Sequence, residues 1–96
     1  MTRPANQLLT PEQRAAAEAE LTGWTVGERL SKRFEFADFP SAIAFMVRAS
    51  FAAERLNHHP NWSNVYNRVE VEVWSHDLGG VSTLCLELAS ELDRCA

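Results

Sequence analysis

Between Val69 and Val73 apolar and charged side chains alternate without a break: Val69, Val71 and Val73 on one side, Glu70 and Glu72 on the other. A strand with that period of two keeps one face in a core and the other in water. It therefore belongs to an antiparallel sheet covered on one face only. The pattern predicts this strand over residues 69–75. A second alternation occupies residues 30–37, where Phe34 and Phe36 face one way and Arg33 and Glu35 the other. Residues 24–28 read as its hairpin partner across a corner at Gly27-Glu28-Arg29, and residues 64–67 as a short strand preceding 69–75.

Three helices are predicted around these strands. Thr10-Pro11-Glu12-Gln13 combines an N-cap, a proline at the first helical position and a capping-box glutamine, so a helix should run to Glu20 or Leu21 and stop before Gly23. Asp38 caps the next, with Pro40 in its first turn; Ala42, Phe45, Met46, Ala49, Ala52, Ala53 and Leu56 form its core-facing stripe. Ile43, Val47 and Phe51 lie off that stripe and suggest a subunit contact. After a turn at Gly79-Gly80, Ser82 caps a last helix carrying Cys85, Leu88, Leu92 and Cys95 on one side. The expected fold is α+β: a four-stranded antiparallel sheet with three helices packed on one face, in the order α-β-β-α-β-β-α.

Ninety-six residues suffice for one domain, 1–96, with residues 1–9 as a flexible lead-in. Nine Lys+Arg against thirteen Asp+Glu, a net charge of −4 and no basic run argue against direct nucleic-acid binding. No apolar stretch approaches the roughly 18–20 residues of a membrane span, and no signal-peptide core follows the first residues, so a cytoplasmic protein is expected. Cys85 and Cys95 are ten residues apart on one predicted helix, about 15 Å of rise. That exceeds the reach of a disulfide, about 7 Å between Cα atoms.

Chemistry concentrates where the three histidines lie. His58 and His59 follow the long helix, Pro60 stiffens the segment after them, and His76 ends a strand; Glu54 sits one helical turn before His58. Imidazole, with a pKa of about 6.5, moves protons in either direction near neutrality. Together with Glu54, Trp62, Tyr66 and Trp74, these histidines suggest a site for a flat polar substrate, although Trp62 and Tyr66 could equally be core. A three-histidine metal site is the competing reading. Adjacent residues of an extended segment point to opposite sides, which places His58 and His59 poorly for sharing one ion.

Glu54, His58-His59-Pro60, Trp62, Asn64-Val65-Tyr66-Asn67 and His76 together resemble the signature of the pterin-4a-carbinolamine dehydratases. The similarity extends through Phe34-Glu35-Phe36, Phe45-Met46 and Leu88-Ala89, over most of residues 23–93. The resemblance implies a homodimer or homotetramer that removes water from a 4a-hydroxytetrahydropterin without metal or cofactor, with no membrane partner. Some relatives also act as non-enzymatic partners, as a dimerisation cofactor of a transcription factor or in assembly of a carbon-fixing enzyme. By the same resemblance His58, His59 and His76 form the catalytic set. His58 and His76 are its acid–base candidates, while His59 orients the pterin. Glu54, Asn57, Pro60, Trp62 and Cys85 are the expected substrate contacts. Two positions depart from the family pattern: Cys85 and Asn57 each stand where the family carries an aspartate.

Overall fold

Thr10 opens the first helix with the reciprocal bonds that its neighbourhood encodes. In the computed structural model, which describes residues 5–96, helix α1 spans Pro11–Glu20. The Thr10 hydroxyl accepts from the Gln13 N–H at 3.1 Å, and Gln13 Oε1 accepts from the Thr10 N–H at 2.9 Å. Strands β1 (Thr25–Val26) and β2 (Leu30–Glu35) follow, then helix α2 (Phe39–Leu56), strands β3 (Asn61–Val65) and β4 (Arg68–Val73), and helix α3 (Thr83–Cys95). Asp38 starts α2 by accepting from the Ser41 N–H at 2.9 Å. The sheet order is β1-β2-β4-β3 with every neighbouring pair antiparallel. This is the α+β arrangement that the alternating pattern predicts.

Val69, Val71 and Val73 are all but inaccessible and face the helices together with Leu30 and Phe34. They meet Phe45 and Ala49 of α2 and Leu88 and Leu92 of α3 in one core. On the outer face Glu70 pairs with Arg33 at 2.8 Å and Glu72 with Arg29 at 3.3 Å. Exposed pairs of this kind contribute only about 0–1 kcal/mol each, so burial of the inner face holds the sheet. Trp24 ties the β1 end to α3: its indole N–H reaches both carboxylate oxygens of Asp93, and Lys32 pairs with the same carboxylate at 2.8 Å. The second apolar face of α2 remains open, with Phe39, Ile43, Val47 and Phe51 exposed at four-residue intervals.

Four boundaries differ from those read in the sequence, each for a local reason. β1 ends at Val26 because Gly27 donates to the Arg29 carbonyl at 3.1 Å and turns the chain, while Trp24 is bonded back to Leu21. β2 stops at Glu35, so that residues 36 and 37 lead into the Asp38 cap. β3 is residues 61–65 rather than 64–67: the Asn64 side chain donates to the carbonyls of Tyr66 and Arg68 and bends the chain there. Tyr66 takes a left-handed φ of 52° in that turn, a position where glycine would have been the usual marker. β4 ends at Val73, and Ser75 instead forms a bridge with Gly80.

The segment preceding α1 is tied down more closely than the expectation of a flexible 1–9 lead-in suggests; residues 1–4 lie outside the described part. Thr83 donates to the Gln7 carbonyl at 2.9 Å, Leu84 donates to Asn6 Oδ1 at 3.0 Å, and Leu9 donates to the Val81 carbonyl at 3.2 Å. Asn6 and Gln7 thus satisfy N–H groups that the first turn of α3 leaves without an intrahelical partner. Both cysteines are free thiols, Cys85 buried and Cys95 half-buried.

Candidate functional site

Asn57 determines where the histidine loop leaves α2. Its φ of 50° and ψ of 43° are left-handed, a conformation that asparagine tolerates better than most residues. The His58 N–H then reaches back to the Ala53 carbonyl at 3.0 Å, closing the end of the helix. Asn57, expected to touch substrate, is exposed, and its observed contribution is this backbone geometry.

His58 and His59 part company from there, as neighbours in an extended segment do. His58 is half-buried, and its Nε2 lies 3.2 Å from the Cys85 sulfur. His59 is exposed, and its Nε2 lies 2.8 Å from Glu54 Oε1. His76 is exposed as well, its ring 4.6 Å from that of Trp74, over which the Arg29 guanidinium stands at 4.0 Å. The three imidazoles share one electrostatic field. Burial pushes the His58 pKa below its ordinary value, and positive charge on His59 and His76 pushes it further the same way. Among the described residues no three His, Cys, Asp or Glu side chains converge on a point that could hold a metal ion.

Glu54, His59, Pro60 and Trp62 line one cleft of about 390 Å³ with Ser50, Phe51 and Ala53. Four of the eight predicted site residues therefore border a single depression whose walls are mostly apolar. Its size falls within the roughly 300–1,000 Å³ usual for small-molecule sites. Tyr66 and Trp74 do not line it; Tyr66 is exposed at the β3–β4 turn. The sequence reading missed Phe51, whose helical position marked it only as an apolar residue off the core stripe.

Cys85 occupies the third position of α3 and is wholly inaccessible. Its sulfur accepts from the Ser82 backbone N–H at 3.4 Å and lies 3.3 Å from the Ser82 hydroxyl. Ser82 is the N-cap of α3, as expected, in a capping box whose third-position partner is Cys85, and the Cys85 N–H also reaches the Ser82 carbonyl at 3.0 Å. The link from Ser82 through Cys85 to His58 joins α3 to the histidine loop.

Because the fold disfavours charged His58, the folded state binds fewer protons there than the unfolded chain does. The sign follows from linkage: stability is complete above the unfolded pKa of 6.5 and is lost as pH falls through the lower folded value. Urea midpoints measured at pH 7.5 and 5.5 should therefore drop more for the wild type than for His58→Gln. An equal drop would remove His58 as the source.

A small domain with an antiparallel sheet, helices on one face and histidines at the end of its long helix is the class of protein that these features define. Comparison with known proteins makes the assignment specific. The family model for pterin 4 alpha carbinolamine dehydratase matches residues 7–95, and the chain belongs to that family. Relatives carrying the provisional name pterin-4-alpha-carbinolamine dehydratase occur in Rhizobium johnstonii and in a Synechococcus strain. The first is 47% identical over 90 residues, covering 88% of this chain and 89% of the relative. The second is 47% identical over 87 residues, covering 90% and 94% respectively. The crystal structure of a transcriptional coactivator/pterin dehydratase from Brucella melitensis superposes with a TM-score of 0.89 at 36% identity, covering 94% of this chain and 99% of that one.

Proposed function

We propose that this chain dehydrates a 4a-hydroxytetrahydropterin, such as 4a-hydroxytetrahydrobiopterin, to the quinonoid dihydropterin. The reaction returns the tetrahydropterin used by aromatic amino acid hydroxylases. The observation that carries this reading is the cleft with room for a small flat ring that Glu54, His59, Pro60 and Trp62 line, with His58 next to His59 in the chain and His76 within electrostatic reach of His58. Loss of water requires a proton for the hydroxide leaving C4a and removal of the proton on N5 as the C4a–N5 double bond forms. Two imidazoles supply both steps near neutrality. His58 and His76 take these roles. The Glu54 carboxylate holds His59 so that it orients the pterin between Pro60 and Trp62.

The test is the rate at which 4a-hydroxytetrahydropterin disappears with and without the protein, because the compound also dehydrates spontaneously. A rate above the spontaneous one that persists after chelator treatment is expected. Abolition by chelator and restoration by zinc would replace the acid–base mechanism with a metal-dependent one.

A second reading is favoured by the exposed row of Phe39, Ile43, Val47 and Phe51 on α2. Such a surface suits a homodimer or homotetramer. In a chain that left the spontaneous rate unchanged, it would point instead to a protein-binding assembly or dimerisation factor.

A further inference from the structure

We infer that Cys85 is a positioning residue that holds His58 as the Nδ1–H tautomer and thereby makes it the proton donor to the departing hydroxide. The inference rests on the dehydration proposed above and assigns the direction of one of its proton transfers. It follows from counting donors and acceptors around one sulfur. A thiol sulfur offers two lone pairs and one hydrogen. The Ser82 backbone N–H can only donate, and it takes one lone pair. Among the described residues the sulfur is also the one acceptor for the hydrogen of the Ser82 hydroxyl, on a residue with no accessible surface. If that hydroxyl accepted from the thiol, its own hydrogen would be buried without an acceptor, at a cost of about 1–3 kcal/mol. The hydroxyl therefore donates and takes the second lone pair.

What remains for the third contact is the S–H itself, aimed at His58 Nε2 at 3.2 Å. A nitrogen that accepts is unprotonated, so the imidazole hydrogen sits on Nδ1. An imidazolium–thiolate pair would satisfy the same distances. It is opposed by the groups around His58: burial and the adjacent His59 and His76 disfavour its charged form, while the carboxylate of Glu54 is engaged by His59.

The Nδ1–H has no hydrogen-bond partner among the described residues, and His58 is half-exposed, so this hydrogen is available to a ligand. In the reaction the C4a–O bond breaks and its electron pair leaves with oxygen, which takes the Nδ1 proton and departs as water. Nε2 takes the thiol proton in the same step. The imidazole thus stays neutral, and the thiolate left behind faces the Ser82 N–H and hydroxyl. The N5 proton goes to His76. Return of one proton to the sulfur from Nε2, and of one to Nδ1 from the solvent, resets the pair and leaves His76 to release its own.

Nitrogen NMR of the imidazoles reads the tautomer independently of activity, with the His58 signals assigned by their loss in His58→Gln. At pH 7.5 the wild type should show a protonated Nδ1 and a bare Nε2. Cys85→Ala should relax His58 towards the mixture of a free imidazole, and Cys85→Ser, whose hydroxyl can donate in the same place, should restore the wild-type pattern. In the same preparations Cys85→Ala should lower kcat by about tenfold or more with little change in KM. A protonated Nε2 in the wild type, or a tautomer indifferent to Cys85→Ala, would overturn the inference. So would an unchanged kcat in an otherwise active enzyme. Should alanine prevent folding, the wild-type spectrum and the Cys85→Ser variant decide alone. A wild type with no dehydratase activity but the expected tautomer would refute the proposed reaction while leaving the hydrogen-bond assignment standing.

Discussion

Replacing His58 or His76 by alanine should each lower turnover of 4a-hydroxytetrahydropterin by about 100-fold or more, the usual scale for losing a positioned acid or base. The two losses arise on different elements. His58 is carried by the turn at Asn57 and directed towards α3 by its contact with Cys85, whereas His76 follows β4 and lies tilted against the Trp74 ring. Neither substitution touches the Glu54–His59 pair, so KM should move little in either variant. His59→Ala should show the opposite pattern, a raised KM with a smaller fall in kcat. Steady-state kinetics on the three variants separates these outcomes. Wild-type rates in all three would remove the acid–base assignment altogether.

The largest effect on stability is expected from Phe45→Ala, a loss of about 3–5 kcal/mol. Phe45 has no accessible surface, and its ring stands 4.7 Å from Phe34 and 5.0 Å from Phe36 by centroids. Removing it takes away the ring that packs α2 against β2 and leaves a cavity that the sheet cannot collapse to fill. A small domain holds only about 5–15 kcal/mol in total, so this change consumes much of the margin. It should appear as a lower urea midpoint with an unchanged dependence on urea concentration. Phe51→Ala, six residues along the same helix, is the contrasting case. That ring is 69% exposed and lines the cleft, so its loss should spare stability and alter substrate binding instead.

How far the sequence could be read depended on whether the deciding interactions were local. Helix starts at Thr10 and Asp38 were legible because their capping partners lie within three residues. The Val69–Val73 alternation was legible because every second residue reports the same face. β3 was misplaced because residues 61–65 carry weak alternation, and because its turn relies on Asn64 bonding two carbonyls rather than on glycine. At the candidate site the histidines, Glu54, Pro60 and Trp62 could be grouped from spacing and family likeness. The burial of Cys85, the turning of Ser82 towards its sulfur, and the contact with a histidine 27 residues earlier are tertiary facts that no local pattern encodes.

The bonds from residues 6–9 to the mouth of α3 bear on the order in which the molecule assembles. Asn6 and Leu84 are 78 positions apart, so their contact closes a loop of nearly the whole chain. Closures of that length are entropically costly and come late, after the β2–β4 and β3–β4 ladders have brought the ends near each other. The turn of helix that carries Ser82 and Cys85 is thus finished by one of the last contacts to form. The same turn is placed to open first in native fluctuations, ahead of the valine-lined sheet beneath it. Proton chemistry at His58 is therefore linked to the least local hydrogen bonds among the described residues, and amide exchange at Leu84 would track both.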